Sequence, residues 1–484
     1  MEFTAVIFCG KGKSLDPFSE TRATGLPKAL LPIANEPMIN YVLDWCYAAV
    51  LSRIIVVTQE ETNDSVAAAI EKFKKLRREK FESQADIADT VVATPIEIMP
   101  FTADNSAEVI HHLYKNPQLR MKSQNFIFLP CDFISNLPPQ VLIEAFRNRN
   151  ETDLGVYIAY KNQLDIEDKK SKIFGKKYTV YTGDAQESVL LDVYGKADIE
   201  MSKMLKIRTQ MCWRYPKSIV STNLLNSGIF IVSGRIFDVI EESSNKFNEV
   251  YFERRNYDKF IRDLARRSWK HSGSKDTVGL FVVPSEASFF RVNNLPVLME
   301  ANRHFMKQQA MKKGQLQQGS QQKDKLAAHV GNDSIIGDKT ELGEKTNVKR
   351  SVVGHNCKIG KKVRITGCLI LDNAIIGDDV QLENCIVGHH AKILPKVKLI
   401  NCNIESTNEV PTGTSSKGDT LLCMNLETVE DGDSEEEFVL RTGPLSDTSS
   451  DEDDDDDGDD DGESEDESEF EDEFTGNDDG LFAY

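Results

Sequence analysis

Between residues 336 and 404 the chain repeats itself every 17 residues, and no other feature restricts its folding so narrowly. Ile336, Val353, Ile370, Val387 and Ile404 stand 17 apart; so do Leu342, Ile359, Ile376 and Ile393, and so do Val348, Ile365, Leu382 and Leu399. All thirteen positions are aliphatic, and the steps within a unit are six, six and five. That spacing describes a three-sided coil with one inward side chain per side. Successive coils stack at about 4.8 Å as parallel rungs, so the inward residues form one buried column, the architecture of a hexapeptide-repeat β-helix. Antiparallel hairpins would instead show period-two alternation and paired turn signals. Gly337, Gly343, Gly354, Gly360, Gly377 and Gly388 each follow an inward residue, where a corner is expected to need backbone freedom. Cys368, Cys385 and Cys402 share the period, but no histidine or carboxylate shares their register and Ser351 precedes them, so packing is expected rather than metal or redox chemistry.

Upstream, from Met1 to about residue 305, short β-rich runs alternate with helical ones. "AVIFC", "RIIVVT", "NFIFLP" and "LGVYIAY" are strand-like, whereas "PMINYVLDWCYAAV" and "QVLIEAFRNR" have helical periodicity. Such alternation predicts an α/β domain of Rossmann type, with helices on both faces of a largely parallel sheet and ligands at the carboxyl ends of its strands. Gly10-Lys11-Gly12 and Asp132 both lie just past strand ends. Glycines there let backbone N–H groups close on a phosphate, although a Gly-x-Gly alone is more often an ordinary turn. Residues 161–177 and 243–256 are polar and read as insertions or surface loops. His111 and His112 are neighbours on a predicted helix, about 100° apart, and do not suggest a shared ligand.

The expected organisation is an α/β domain over 1–305, a Gln/Lys-rich connector over 306–330, the β-helix over 331–406 and a tail over 407–484. Charge separates the tail from the rest. Residues 447–479 hold 21 acidic side chains and no basic one, so removing them from the net −20 leaves +1. The tail is expected to be largely disordered, and the near-neutral body argues against sequence-specific nucleic-acid binding. No export signal or membrane-length apolar run is evident, and the nine scattered cysteines fit a reducing cytosol.

An α/β domain joined to a hexapeptide β-helix resembles the sugar-nucleotide pyrophosphorylase family of nucleotidyltransferases over roughly residues 1–405. The resemblance rests on "GKGKSL", on "LPKALLPIANEPMI" from Leu26 to Ile39, and on "NSGIF" from Asn226 to Phe230. It implies a nucleotidyltransferase-like domain followed by a left-handed β-helix. Lys28 matches the family lysine that helps hold the phosphates, and Asp132 the first metal-binding aspartate. Ser14, however, stands where the family has a triphosphate-gripping arginine, and counting back from Ala301-Asn302 places Arg291 where the second metal carboxylate belongs. Nucleotidyl transfer relies on cations and metal to stabilise charge, so both exchanges should abolish it.

One non-enzymatic branch has this arrangement: the gamma and epsilon subunits of translation initiation factor 2B. "FCGKGKSLDPF", "TGLPKALLPIANEPMINYVLDWC", "LPCDFISNLPPQVL" and "RDLARRSWKHS" look like fungal gamma subunits, and the fewer than eighty, largely acidic and small polar residues after Glu405 are not expected to form the helical-repeat domain of epsilon. The resemblance implies a scaffold with no catalytic residue, no metal site and no cofactor. Gly10, Gly12, Lys28 and Asp132 would form a vestigial nucleotide loop. Its implied partners are the epsilon subunit, the alpha, beta and delta subunits of the full complex, and initiation factor 2 as the substrate of exchange. The alternative is a sugar-nucleotide pyrophosphorylase of the mannose-1-phosphate guanylyltransferase type, or its regulatory subunit.

Overall fold

The computed structural model describes residues 2–82, 94–103, 105–116, 125–164, 177–183, 188–195, 198–199, 203–205, 207–270, 276–316 and 329–423. The acidic tail beyond Cys423 and most of the polar 161–177 stretch lie outside them.

The strands of the α/β part are β1 (Phe3–Phe8), β2 (Leu51–Thr58), β3 (Ile96–Pro100), β4 (Asn125–Pro130), β5 (Phe133–Ser135), β6 (Asp153–Lys161), β7 (Tyr178–Thr182), β8 (Leu190–Tyr194), β9 (Ser218–Ser221), β10 (Leu224–Ser233), β11 (Thr277–Val282) and β12 (Phe289–Arg291). Among the helices are α1 (Met38–Ala48), α2 (Asn63–Glu82), α3 (Ser106–Lys115), α4 (Pro139–Arg147), α5 (Thr209–Arg214), α6 (Arg235–Glu242), α7 (Glu249–Arg254), α8 (Tyr257–Lys270) and α9 (Leu295–Leu316). Seven strands form the main sheet in the order β11-β6-β10-β4-β1-β2-β3, parallel except for β10, which runs antiparallel to both neighbours. Nearly every residue of β1, β2, β4 and β6 is buried, because helices cover both faces. One apolar layer holds α1, with Val42, Leu43 and Cys46, and α4, with Leu142 and Phe146. The other holds α3, α6 and α8.

All four strand runs and both helical runs read from the sequence fall in such elements. The stretch 243–256 differs. It contains α7, and Phe247 and Phe252 are buried against Phe260 with ring centroids 5.7 and 5.6 Å away. Two phenylalanines supply enough apolar area to anchor an otherwise polar segment. His111 stacks on Phe252 at 4.8 Å and His112 on Phe101 at 4.4 Å, which gives the two imidazoles separate packing roles.

From His329 the chain winds through three parallel ladders of six, six and five short strands. The ladder pairs run Ile336–Val353–Ile370–Val387–Ile404, Leu342–Ile359–Ile376–Ile393 and Val348–Ile365–Leu382–Leu399 in register. Eleven of these thirteen side chains are buried in one column, with Leu342 packed against it and Ile336 part-exposed at the first rung. Strand pairing continues to Thr420–Leu421, past residue 406, since Val410 and the rung after it still fill the column. Helix α9 likewise runs through residue 306 to Leu316, because glutamine and lysine are good helix formers even where they leave no apolar face.

The repeat glycines have a different reason from the one expected. The left-handed corners are taken by Lys339, Asn356, Asn373 and His390, by Lys345, Lys362, Asp379 and Lys396, and by Arg350, Asn384 and Asn401. Gly337, Gly343, Gly354, Gly360, Gly377 and Gly388 are not left-handed; a methyl group on Gly337 would lie 2.5 Å from the Gly354 carbonyl, and one on Gly388 2.4 Å from the Ser406 nitrogen. They let successive coils approach. The thiols of Cys368 and Cys385 accept the amides of Cys385 and Cys402 at 3.4 and 3.5 Å, so the cysteine stack ties rungs together.

One face of the coil also carries aliphatic residues outward. Ile335, Val352, Leu369 and Ile386 sit beside the inward residues of their ladder and pack on Leu31, Ile33, Met38, Phe290 and Leu298 of the α/β part. Asn35 Nδ2 donates to the Val353 carbonyl at 2.8 Å and Thr24 Oγ1 to Glu405 Oε1 at 2.9 Å.

Candidate functional site

Strands β1 and β4 are adjacent, and the chain leaves β1 for β2 on its other side, so their carboxyl ends flank a topological switch point. The loop after β1 contains Gly10, which is exposed, with nothing within 4 Å of where a Cβ would stand. Gly12 has φ 74°, and its Cβ position lies 3.1 Å from Lys28 Cβ, so a side chain would be both strained and crowded. Its carbonyl accepts Leu15 N and Ser19 Oγ, both at 2.8 Å. Ser14 is exposed in the following turn.

Lys28 opens a short turn after Pro27 and extends its ammonium to Asp132 Oδ2 at 2.5 Å. Arg291 reaches the same carboxylate with Nε at 3.0 Å from Oδ1 and Nη2 at 3.3 Å from Oδ2. The backbone enforces this meeting: Arg291 pairs with Phe133 across β12 and β5, and Val292 N donates to the Asp132 carbonyl at 2.7 Å. The Asp132 side chain is fully buried. Burial by itself pushes the carboxyl up; Arg291 and then Lys28 outweigh it and bring it down to about 2. Burial works against the Arg291 charge as well, and the Asp132 carboxylate more than compensates, holding the guanidinium above its ordinary value.

The "NSGIF" stretch lies in β10 beside this pair. Pairing of β10 with β6 breaks register between Asn226 and Phe230. Ser227 Oγ donates to the Ile158 carbonyl at 2.5 Å and accepts Ile229 N at 3.0 Å, while Asn226 Oδ1 accepts Gly228 N at 2.7 Å. Gly228 has φ 72°, and a Cβ there would stand 2.9 Å from Arg291 Nη1. The glycine is therefore a seat for the guanidinium, a role its place in the motif does not disclose.

A divalent cation does not fit these residues. Both oxygens of Asp132 are engaged by fixed cations, and among the described residues no group of three histidine, cysteine or carboxylate side chains could hold a metal. The structure thus brings Gly12, Lys28 and Asp132 together, leaves Gly10 and Ser14 on the open side, and adds Arg291 and Gly228 to the cluster. The arrangement neutralises one buried carboxylate with two protein cations, and the carboxylate of Asp258 also acts on the Arg291 charge.

Residues 4–167 match the nucleotidyl transferase family model, and residues 314–414 match the model of the left-handed β-helix domain of the epsilon subunit of initiation factor 2B. The chain therefore joins a nucleotidyltransferase domain to a left-handed hexapeptide-repeat domain. It is 28% identical over 321 residues to the Schizosaccharomyces pombe translation initiation factor eIF2B subunit gamma, covering 63% of this chain and 65%, just under two thirds, of that protein.

Proposed function

We propose that the chain is a catalytically silent subunit of a guanine nucleotide exchange complex of the initiation factor 2B type, acting in the cytosol as a scaffold rather than as a nucleotidyltransferase. The observation that carries this reading is the Lys28–Asp132–Arg291 cluster, which fills the strand-end position of a metal carboxylate with protein cations. Similarity to a gamma subunit supports the type of complex. On this reading the chain pairs with an epsilon subunit, joins alpha, beta and delta subunits, and helps engage initiation factor 2 so that GDP leaves, the exchange step itself lying on epsilon. Gly10, Gly12, Lys28 and Asp132 are the remnant of a nucleotide loop that no longer turns over.

The test has two arms. Purified chain, supplied with magnesium or manganese, nucleoside triphosphates and a panel of sugar phosphates, should release no pyrophosphate; turnover on the order of 1 per second overturns the silent reading. Chain isolated from its native source should carry an epsilon-type subunit in stoichiometric amount, and its recovery alone or with a sugar-nucleotide enzyme overturns the assignment to an exchange complex.

A further inference from the structure

Cys9 follows β1 and Cys131 follows β4, parallel neighbours whose last pair sets Phe8 opposite Pro130. Cys131 N donates to the Phe8 carbonyl at 3.2 Å, which carries the ladder one step further and sets Cys9 opposite Cys131. Both side chains belong to the apolar layer that holds α1 and α4, so they lie on the same face of the sheet. Their thiols hydrogen-bond one another. Neighbouring strands stand about 4.8 Å apart, inside the span of roughly 4.4–6.8 Å between the α-carbons of a disulfide.

Access distinguishes this pair from the other close thiols. Cys131 is buried, but Cys9 is part-exposed beside the open loop at Gly10. Cys368, Cys385 and Cys402 are stacked as closely, yet all three are sealed in the column of the coil, at 2% exposure or less. An oxidant in solvent therefore meets Cys9 first and finds Cys131 next to it.

We propose that Cys9 and Cys131 are a redox-modification site, joined into a reversible disulfide when a peroxide reaches the strand ends. The Cys9 sulfur attacks one peroxide oxygen; the S–O bond forms, the O–O bond breaks, and the departing hydroxide leaves as water with the Cys9 proton. Cys131 then attacks the Cys9 sulfur; the S–S bond forms, the S–O bond breaks, and the second hydroxide leaves as water with the Cys131 proton. Two thiols are oxidised and one peroxide is reduced to two waters. The bridge ties the ends of β1 and β4 together next to Asp132, and a dithiol reverses it. The proposal is independent of the function inferred above.

The full chain, reduced and then freed of reductant, is exposed to hydrogen peroxide, quenched with catalase, alkylated in urea and digested for mass spectrometry. The expected product is a pair of peptides linked through Cys9 and Cys131, two hydrogens lighter than the separate thiol peptides and released by dithiothreitol. Cys368, Cys385 and Cys402 should be recovered alkylated. Cys131→Ser removes the second thiol and should raise dimedone labelling of Cys9, the mark of a sulfenic acid, about fivefold or more; circular dichroism checks that this variant folds. Recovery of both Cys9 and Cys131 alkylated from wild type after millimolar peroxide, Cys9 linked mainly to Cys212 or to a second chain, or equal dimedone labelling in wild type and folded Cys131→Ser each overturns the proposal.

Discussion

Asp132 stores the chemistry of the strand-end site in one carboxylate. Its folded value of about 2 lies below the ordinary value near 3.9, so the unfolded chain binds more protons in acid. The stability that the ionised group contributes is complete above about pH 4 and is lost as pH falls through that value toward 2. Holding the carboxyl that far down corresponds to about 2–3 kcal/mol in favour of its ionised form. Urea unfolding of wild type and Asp132→Asn should therefore show a stability gap that narrows by about 1 kcal/mol between pH 6 and pH 3; a constant gap would show that the two cations do not hold the charge. The lysine and the aspartate were legible as motif residues, and Arg291 as an anomaly found by counting. That Arg291 grips Asp132 was not legible, because 159 residues separate them and only β12 and β5 bring them into register.

At the scale of the element, the β-helix distinguishes neighbouring identical residues. Ile376 is buried in the column and Ile375, beside it in the same strand, is 44% exposed between Lys358 and Lys392 on adjacent rungs. Ile376→Asp buries an unpaired carboxylate and should cost several kcal/mol, whereas Ile375→Asp gains two lysine neighbours and should leave the melting temperature nearly unchanged. Equal losses would mean that the register is shifted by one. Asp378, two positions after Ile376, is a poorer control for the register: its Oδ1 accepts Lys361 N from the preceding rung at 2.6 Å. Gly354→Ala offers a second check. The new methyl would stand 2.7 Å from Asp372 N although the backbone needs no left-handed conformation, so overpacking should destabilise by about 2 kcal/mol in chemical denaturation. A loss of only a few tenths would show that the coils do not need the close approach at this position.

At the scale of the molecule, the β-helix and the α/β part share a core. Leu369 is buried at that shared face and points away from the column that stabilises the coil itself. Leu369→Arg should therefore spare the column and weaken the docking by several kcal/mol. Calorimetry should then resolve two unfolding transitions where the wild type shows one; a single transition shifted as a whole would place Leu369 in the coil's own stability. This face had a signal in the sequence. One of the three ladders carries an aliphatic doublet at four successive rungs, Ile335-Ile336, Val352-Val353, Leu369-Ile370 and Ile386-Val387, whereas in the other two ladders such doublets are isolated, as at Ile375-Ile376 and Leu399-Ile400.

The sequence by itself determined the β-helix, because the ladder pairings from Ile335 onward join residues 17 apart and a fixed offset makes packing visible as periodicity. It also determined the alternation of strand and helix, since burial on both faces of a sheet demands continuous apolar runs. Tertiary structure alone decided that Gly228 seats Arg291, that the repeat glycines serve contact between rungs, and that Asp132 is held from both sides. Those outcomes depend on backbones meeting at distances of a few ångströms across separations that carry no period, and a linear pattern records no such distance.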